Sequence, residues 1–131
     1  MTSAQLQSRL KRLLRPDEVR FDAESLEACA RDKWYASHTP DAVVRPRDAR
    51  GVSRVLAWAH RHGVPVTTRG AGYGYVGGCV PNRGGIVLSV ERLNRILEIS
   101  PPDFVAVVQP GVVTATLQEA RSEEHTSELQ S

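Results

Sequence analysis

Residues 67–85 read Thr-Thr-Arg-Gly-Ala-Gly-Tyr-Gly-Tyr-Val-Gly-Gly-Cys-Val-Pro-Asn-Arg-Gly-Gly, and the part from Gly70 onward holds seven of the chain's ten glycines. Glycine adopts positive φ without steric cost and lets backbone N–H groups approach an anion closely. Successive N–H groups in such a turn form a nest that binds phosphate. Arg69, at the mouth of the stretch, can add charge-assisted hydrogen bonds. A diphosphate is the guest this chemistry suits.

Three phosphate motifs compete for this stretch. A Walker A loop needs a lysine after its second glycine, and none stands there. Gly72-Tyr73-Gly74-Tyr75-Val76-Gly77 matches the letters of the dinucleotide fingerprint, which must open a helix. Gly78, Pro81, Gly84 and Gly85 follow, so no helix can start and no helix dipole assists. The third motif is a long glycine loop that joins two strands and holds a pyrophosphate by its backbone alone. A flexible surface loop is the bland alternative, but Tyr73, Tyr75, Val76, Cys79 and Val80 are too apolar for an idle linker.

The elements around the loop must position it. Val43-Val44-Arg45 before Pro46 reads as a strand, because the residue before proline prefers extended geometry. Asp48 can cap a helix that runs to His62 and stops at Gly63, with Val52, Val55, Leu56 and Ala59 as its apolar stripe. Residues 64–68 form a strand into the loop. Residues 86–90, Ile-Val-Leu-Ser-Val, form a strand out of it that suits burial on both faces. Strands over 96–99 and 104–108 follow, parted by Pro101-Pro102-Asp103, and a helix begins near Thr114. Upstream, Leu6, Leu10, Leu13 and Leu14 give an amphipathic helix over 4–14 that Pro16 ends. It is basic but short and lacks Trp and Phe, so it is expected to dock on its own protein rather than a membrane. A second helical stretch spans 22–33, capped by Asp22 or Ser25, with Leu26, Cys29 and Ala30 inward; residues 34–41 read as loop. The fold class is α+β, with an α/β-type first half and a strand-rich continuation.

Other candidates for chemistry are weaker. His60 and His62 lie two apart on a helix and cannot share a metal, and His38 stands alone, so no metal site is expected. Cys79 is either a reactive thiol or a small buried residue. Asp32 and Lys33, before Trp34-Tyr35, read as packing. No pair of residues makes an acid–base dyad, so no catalytic residue is assigned. Composition narrows the classes further. The 131 residues are one domain or part of one, 40% hydrophobic and 5% aromatic, with a net charge of +2. The basic residues are dispersed, and no nucleic acid partner is expected. Two cysteines make neither a disulfide scaffold nor a zinc cage. No apolar run approaches a membrane span or a signal core, so a cytoplasmic location is expected.

The composition changes after Ala120. Residues 121–131, Arg-Ser-Glu-Glu-His-Thr-Ser-Glu-Leu-Gln-Ser, break the apolar pattern begun at Thr114. Residue for residue they resemble the in-frame translation of a short-read sequencing adapter. The stretch is therefore expected to be non-native, and the protein to continue differently past Ala120. Without its one arginine and three glutamates the remainder is more basic.

Arg45-Pro46, the helix over 48–62, Val64-Pro65-Val66-Thr67-Thr68-Arg69-Gly70-Ala71-Gly72, Gly77-Gly78, Pro81, the strand over 85–90 and Gln109-Pro110-Gly111 together resemble the flavin-binding domain of the vanillyl-alcohol oxidase / p-cresol methylhydroxylase flavoproteins. The glycolate oxidase D subunit and the FAD-linked D-lactate dehydrogenases are the most similar members. The resemblance covers about residues 26–120 and implies an incomplete FAD-binding domain. Residues 1–41 would be a helical lead-in, 42–120 the first part of the domain and 121–131 the adapter-like tail. It implies FAD, held by Arg69, Gly70, Ala71, Gly72, Tyr73, Gly74, Tyr75, Gly77 and Gly78, with its pyrophosphate on the backbone of Arg69 to Gly74 and of Gly77-Gly78. It implies oxidation of a small 2-hydroxy acid by the full-length enzyme and an inactive fragment; an electron-accepting partner subunit is one option, with a quinone, a cytochrome, an iron–sulfur partner and O₂ all open as acceptors. Where the family string has Thr, this chain has Tyr73, and where it has Leu-Ser, this chain has Tyr75-Val76. Tyr73 also stands where some relatives carry a histidine bonded to the flavin, which implies non-covalent FAD here. Whether Tyr73 stacks on the cofactor, bonds to it or simply packs is open. A non-catalytic diphosphate-binding module or a decayed fragment is the alternative.

Overall fold

The computed structural model describes the backbone of residues 1–130 and the side chains of residues 1–123. The chain divides into two units, Met1–Arg92 and Leu93–Ser131.

In the first unit, helix α1 (Ser3–Leu13) starts at Thr2, whose side chain accepts the Gln5 N–H while the Gln5 side chain accepts the Thr2 N–H. Its leucines at 6 and 10, with Leu14 just beyond, are buried as their spacing predicts. A 3-10 turn at Pro16–Glu18 leads into β1 (Val19–Arg20), a two-residue strand with no visible sequence signal. Helix α2 is shorter than the predicted 22–33 and spans Ala23–Ala28. The Asp22 carboxylate caps it by accepting the Ser25 N–H at 3.0 Å. Ala30 is buried, but Leu26 and Cys29 are only half-buried, since so short a helix lays down little of an apolar stripe.

Strand β2 (Ala42–Val44), helix α3 (Ala49–His62), β3 (Val66–Arg69) and β4 (Ile86–Ser89) complete the unit. The sheet order is β1-β2-β4-β3, with β1 antiparallel to β2 and the other three strands parallel. β4 lies between β2 and β3, pairing Leu88 with Val44 on one side and Thr68 on the other. That central place explains why all four of its residues are buried. Helix α3 has the predicted ends: Asp48 accepts the Gly51 N–H at 2.8 Å, and Gly63 closes it at φ +63°. Its buried face is rotated from the predicted stripe. Val55, Trp58 and Ala59 are buried, Val52 is half-buried and Leu56 is exposed. Trp58 joins the buried face, its indole stacked on the His62 ring with centroids 4.7 Å apart. The Trp58 carbonyl lies 2.8 Å from His62 Nδ1.

In the second unit, β5 (Ile96–Ser100) and β6 (Val105–Val108) form an antiparallel pair with an irregularity between Ile96 and Glu98. A 3-10 turn at Pro101–Asp103 joins them. Phe104, predicted as strand, sits in the left-handed region at φ +57° and precedes β6. Helix α4 spans Thr114–Gln130. It runs on through the stretch predicted to break it, because Arg, Glu, Leu and Gln are competent helix formers and neither Gly nor Pro interrupts. Among the described residues no helix is long and apolar enough to cross a membrane.

Candidate functional site

Three parallel strands put their C-terminal ends, Val44, Ser89 and Arg69, on one edge of the sheet. Ligands of open α/β sheets bind at that edge. The glycine loop leaves β3 there and returns to the start of β4 at the opposite edge. Its glycines therefore divide into two groups with different work.

Gly84 and Gly85 belong to the return. Both have positive φ, +72° and +75°. The Gly85 N–H donates to the Asp41 carboxylate at 2.7 Å, and the Gly85 carbonyl accepts the Asp41 N–H at 2.8 Å. A Cβ on Gly85 would overlap the Pro65 carbonyl oxygen and lie 3.1 Å from its carbon. These two glycines seat β4 and face no ligand edge.

Residues 70–78 form the other group. No helix follows them, as the run of glycines predicts. Gly72 and Gly77 have φ of +79° and +78°. Gly72 is buried, and a Cβ there would lie 2.8 Å from Arg69 Cζ. Arg69, expected at the mouth, instead turns its guanidinium inward. Its Nη1 donates to the Arg31 carbonyl at 2.8 Å and lies 3.7 Å from Cys79 Sγ. Its own carbonyl accepts the Val90 N–H at 3.0 Å.

Residues 30–38 are clasped onto this loop, a contact the sequence reading missed. The Asp32 carboxylate is buried and accepts two N–H groups, from Gly77 at 2.9 Å and from Trp34 at 2.8 Å. The Lys33 N–H donates to the Gly74 carbonyl at 3.0 Å. Within the segment, Arg31 and Ser37 form a β-bridge and the His38 N–H donates to the Ala30 carbonyl, where a helix to residue 33 and a plain loop from 34 were predicted. The Asp32-to-Trp34 bond is an Asx turn, and Asp two residues before an aromatic was its one available sign. Side chains meet across the clasp as well. Lys33 Nζ lies 4.4 Å from the Tyr73 ring centroid, and Trp34 meets Tyr75 edge-on at 6.5 Å.

The nine predicted residues thus lie in one loop, with unequal roles. Gly77 spends its N–H on Asp32. The N–H groups of Gly70 through Val76 have no acceptor among the described residues. Such a row of unpaired donors, with open space beside Gly70 and Gly74, fits an anionic group. Burial pushes the Cys29 thiol up from its ordinary value, so it stays protonated and unreactive at neutral pH. Among the described residues no group of three or more His, Cys, Asp or Glu is placed to hold a metal.

A nest-like glycine loop at the carboxyl edge of a parallel sheet defines a class of nucleotide-binding domain. Residues 40–127 match the FAD binding domain family, and the chain belongs to it. The match runs seven residues into the adapter-like stretch. The chain is 38% identical to a D-2-hydroxyglutarate dehydrogenase of Stutzerimonas stutzeri over 121 residues, 91% of this chain and 26% of that protein. It is 45% identical to the glycolate oxidase subunit GlcD of Bacillus subtilis over 75 residues, 57% of this chain and 16% of that one. Its fold is that of the vanillyl-alcohol oxidase type. The structure of p-cresol methylhydroxylase with substrate bound superposes with a TM-score of 0.79 at 24% identity, covering 93% of this chain and 25% of that one. The chain spans about a quarter or less of the length of these proteins.

Proposed function

We propose that this chain is part of an FAD-dependent oxidoreductase that oxidises a small 2-hydroxy acid of the glycolate or D-lactate type. The loop over residues 69–78 holds the FAD pyrophosphate. The observation that carries the reading is the row of unpaired N–H groups from Gly70 to Val76 at the carboxyl edge of the parallel strands. The names of the relatives, dehydrogenases and an oxidase subunit of 2-hydroxy acids, support the substrate class. FAD, when bound, supplies the two-electron chemistry by accepting hydride from the substrate carbon. The chain's own part is to bind and orient. Its backbone donors face the diphosphate, Arg69 and Asp32 fix the loop's shape, and Tyr73 and Tyr75 flank it. Tyr73 offers no imidazole for a flavin bond, so the cofactor is held non-covalently at this loop. A partner subunit takes the electrons onward, and the location is cytoplasmic. The 131 residues, which span 26% of the D-2-hydroxyglutarate dehydrogenase they match, do not turn over alone, because in this family the reacting groups lie largely in the second half of the protein. A continuous read of the source DNA through codon 120 tests the tail.

The binding reading is tested by following backbone amide resonances of the chain during titration with FAD and with ADP. Resonances of residues 70–76 should move with both ligands. Gly72→Glu, which puts a carboxylate against the Arg69 guanidinium inside the loop, should abolish the response while the β4 resonances stay native. Unmoved amides in the native chain, or binding that survives Gly72→Glu, would overturn the loop assignment. Movement with ADP but a colourless full-length protein would favour a diphosphate-binding module without redox chemistry.

A further inference from the structure

We infer that Lys33 is the cation that neutralises the anionic ligand of the glycine loop, and that Arg69 braces the loop instead of gripping the phosphate. The inference rests on the pyrophosphate reading above and names a charge that strengthens it. A diphosphate brings at least two negative charges against the loop, and backbone donors offer only partial charges in return. The buried Asp32 carboxylate, bonded to the Gly77 N–H, adds a further negative charge beside them. A full positive charge nearby would offset both.

Three cationic side chains belong to the clasp and the loop's near end. Arg31 pairs with Glu27 along the chain. Arg69 is turned into the protein, donating to the Arg31 carbonyl with its guanidinium packed where a Gly72 side chain would go. A ligand could recruit it only by breaking that brace. Lys33 is placed differently. Its backbone N–H is tied to the Gly74 carbonyl, so its root moves with the loop. Its ammonium lies over the Tyr73 ring at 4.4 Å and has no carboxylate partner among the described residues. The ring's negative face holds the charge near the loop without quenching it. A lysine ammonium, compact and with three donors, suits a phosphate as a point charge. Tyr73, where the family string has threonine, thus acquires a role as the support that keeps Lys33 at the loop.

The composition makes the test direct. The chain has two lysines, Lys33 and Lys11, and Lys11 lies over Phe21 at 5.5 Å on helix α1. Limiting acetylation of the chain, read by mass spectrometry with and without ADP, compares the two in one sample. ADP at amide-saturating concentration should slow acetylation of Lys33 roughly fivefold relative to Lys11, while adenosine, lacking the diphosphate, should not. Lys33→Met should weaken ADP binding roughly three- to tenfold and flatten its salt dependence, Lys33→Arg should restore most of both, and Lys11→Met should change neither. Arg69→Met should shift the Gly72 and Cys79 resonances before any ligand is added. If the amides of 70–76 respond to ADP but Lys33 is acetylated equally with and without it, or Lys33→Met binds ADP as the native chain does, the Lys33 inference is wrong and the loop reading stands. If the amides do not respond at all, both fall.

Discussion

Replacing Gly85 by alanine should be far more damaging than replacing Gly74, although both lie in one glycine-rich run. At Gly85 the backbone φ is +75°. A residue with a Cβ pays about 1–2 kcal/mol for that left-handed conformation. The new methyl would also overlap the Pro65 carbonyl, a backbone group that cannot step aside because its oxygen accepts the Ile86 N–H at 2.9 Å. Overpacking of this kind costs roughly 1–3 kcal/mol. The two effects together come to about 2–5 kcal/mol, a large share of the ~5–15 kcal/mol that holds an ordinary domain folded. For a unit of this size the midpoint should fall by on the order of 10–30 °C. At Gly74 the backbone lies outside the positive-φ region and a Cβ meets nothing within 4 Å. Gly74→Ala should stay within about 1 kcal/mol of the native chain, on the stabilising side if it acts by restricting the unfolded chain. Gly72→Ala should fall between them at about 2–3 kcal/mol, since its clash is with a flexible arginine that can swing away at the loss of its bond to the Arg31 carbonyl. Urea denaturation of the full chain, followed by far-ultraviolet circular dichroism, measures all three. A Gly85→Ala variant within 1 kcal/mol of native (about a fivefold change in the folding constant), or a Gly74→Ala variant as unstable as Gly85→Ala, would refute the division of the loop into a seated end and a free end.

Asp32→Ala should strand the Gly77 and Trp34 N–H groups, costing about 1–3 kcal/mol and speeding amide hydrogen exchange at Gly77 well before it does so in β4. Trp58→Ala should cost about 3–5 kcal/mol by denaturant titration, whereas Leu56→Ala, on the exposed side of α3, should cost under about 1 kcal/mol. The Ser25 N–H and hydroxyl hold the Asp22 carboxyl below its ordinary value of 3.8. The cap's contribution is thus fully present above that value and is lost as pH falls through the lower folded-state value; Asp22→Asn should remove this acid dependence of α2 helicity, read by amide exchange at Ser25 and Leu26.

Much of the architecture was legible because it is local. The spacing of Leu6 and Leu10, the Asp48 and Gly63 ends of α3 and the unbroken apolar run of β4 each act within a turn or a strand of their own residues. The glycine run likewise excludes a helix by its own conformational cost. What escaped was whatever needed a distant partner. Strand β1 is two residues long and exists only because Val44 and Val43 lie beside it. The buried face of α3 takes in Val55, Trp58 and Ala59 and leaves Leu56 exposed, which depends on what packs against the helix and not on the hydropathy of its own residues.

The candidate site divides in the same way. The amino-acid sequence by itself determined that residues 70–78 would be a helix-free, glycine-rich loop, since that follows from glycine's freedom and the absence of anything able to propagate a helix. Only the tertiary structure decided which of its donors remain open and which charge stands beside them. Asp32, 45 positions before Gly77, takes one donor. Arg69, 38 positions after Arg31, is drawn inward to that residue's carbonyl, while Lys33 is left over Tyr73. Hydrogen bonds between residues so far apart in the chain depend on the sheet bringing two loops to one edge, and no local pattern of residues encodes that meeting.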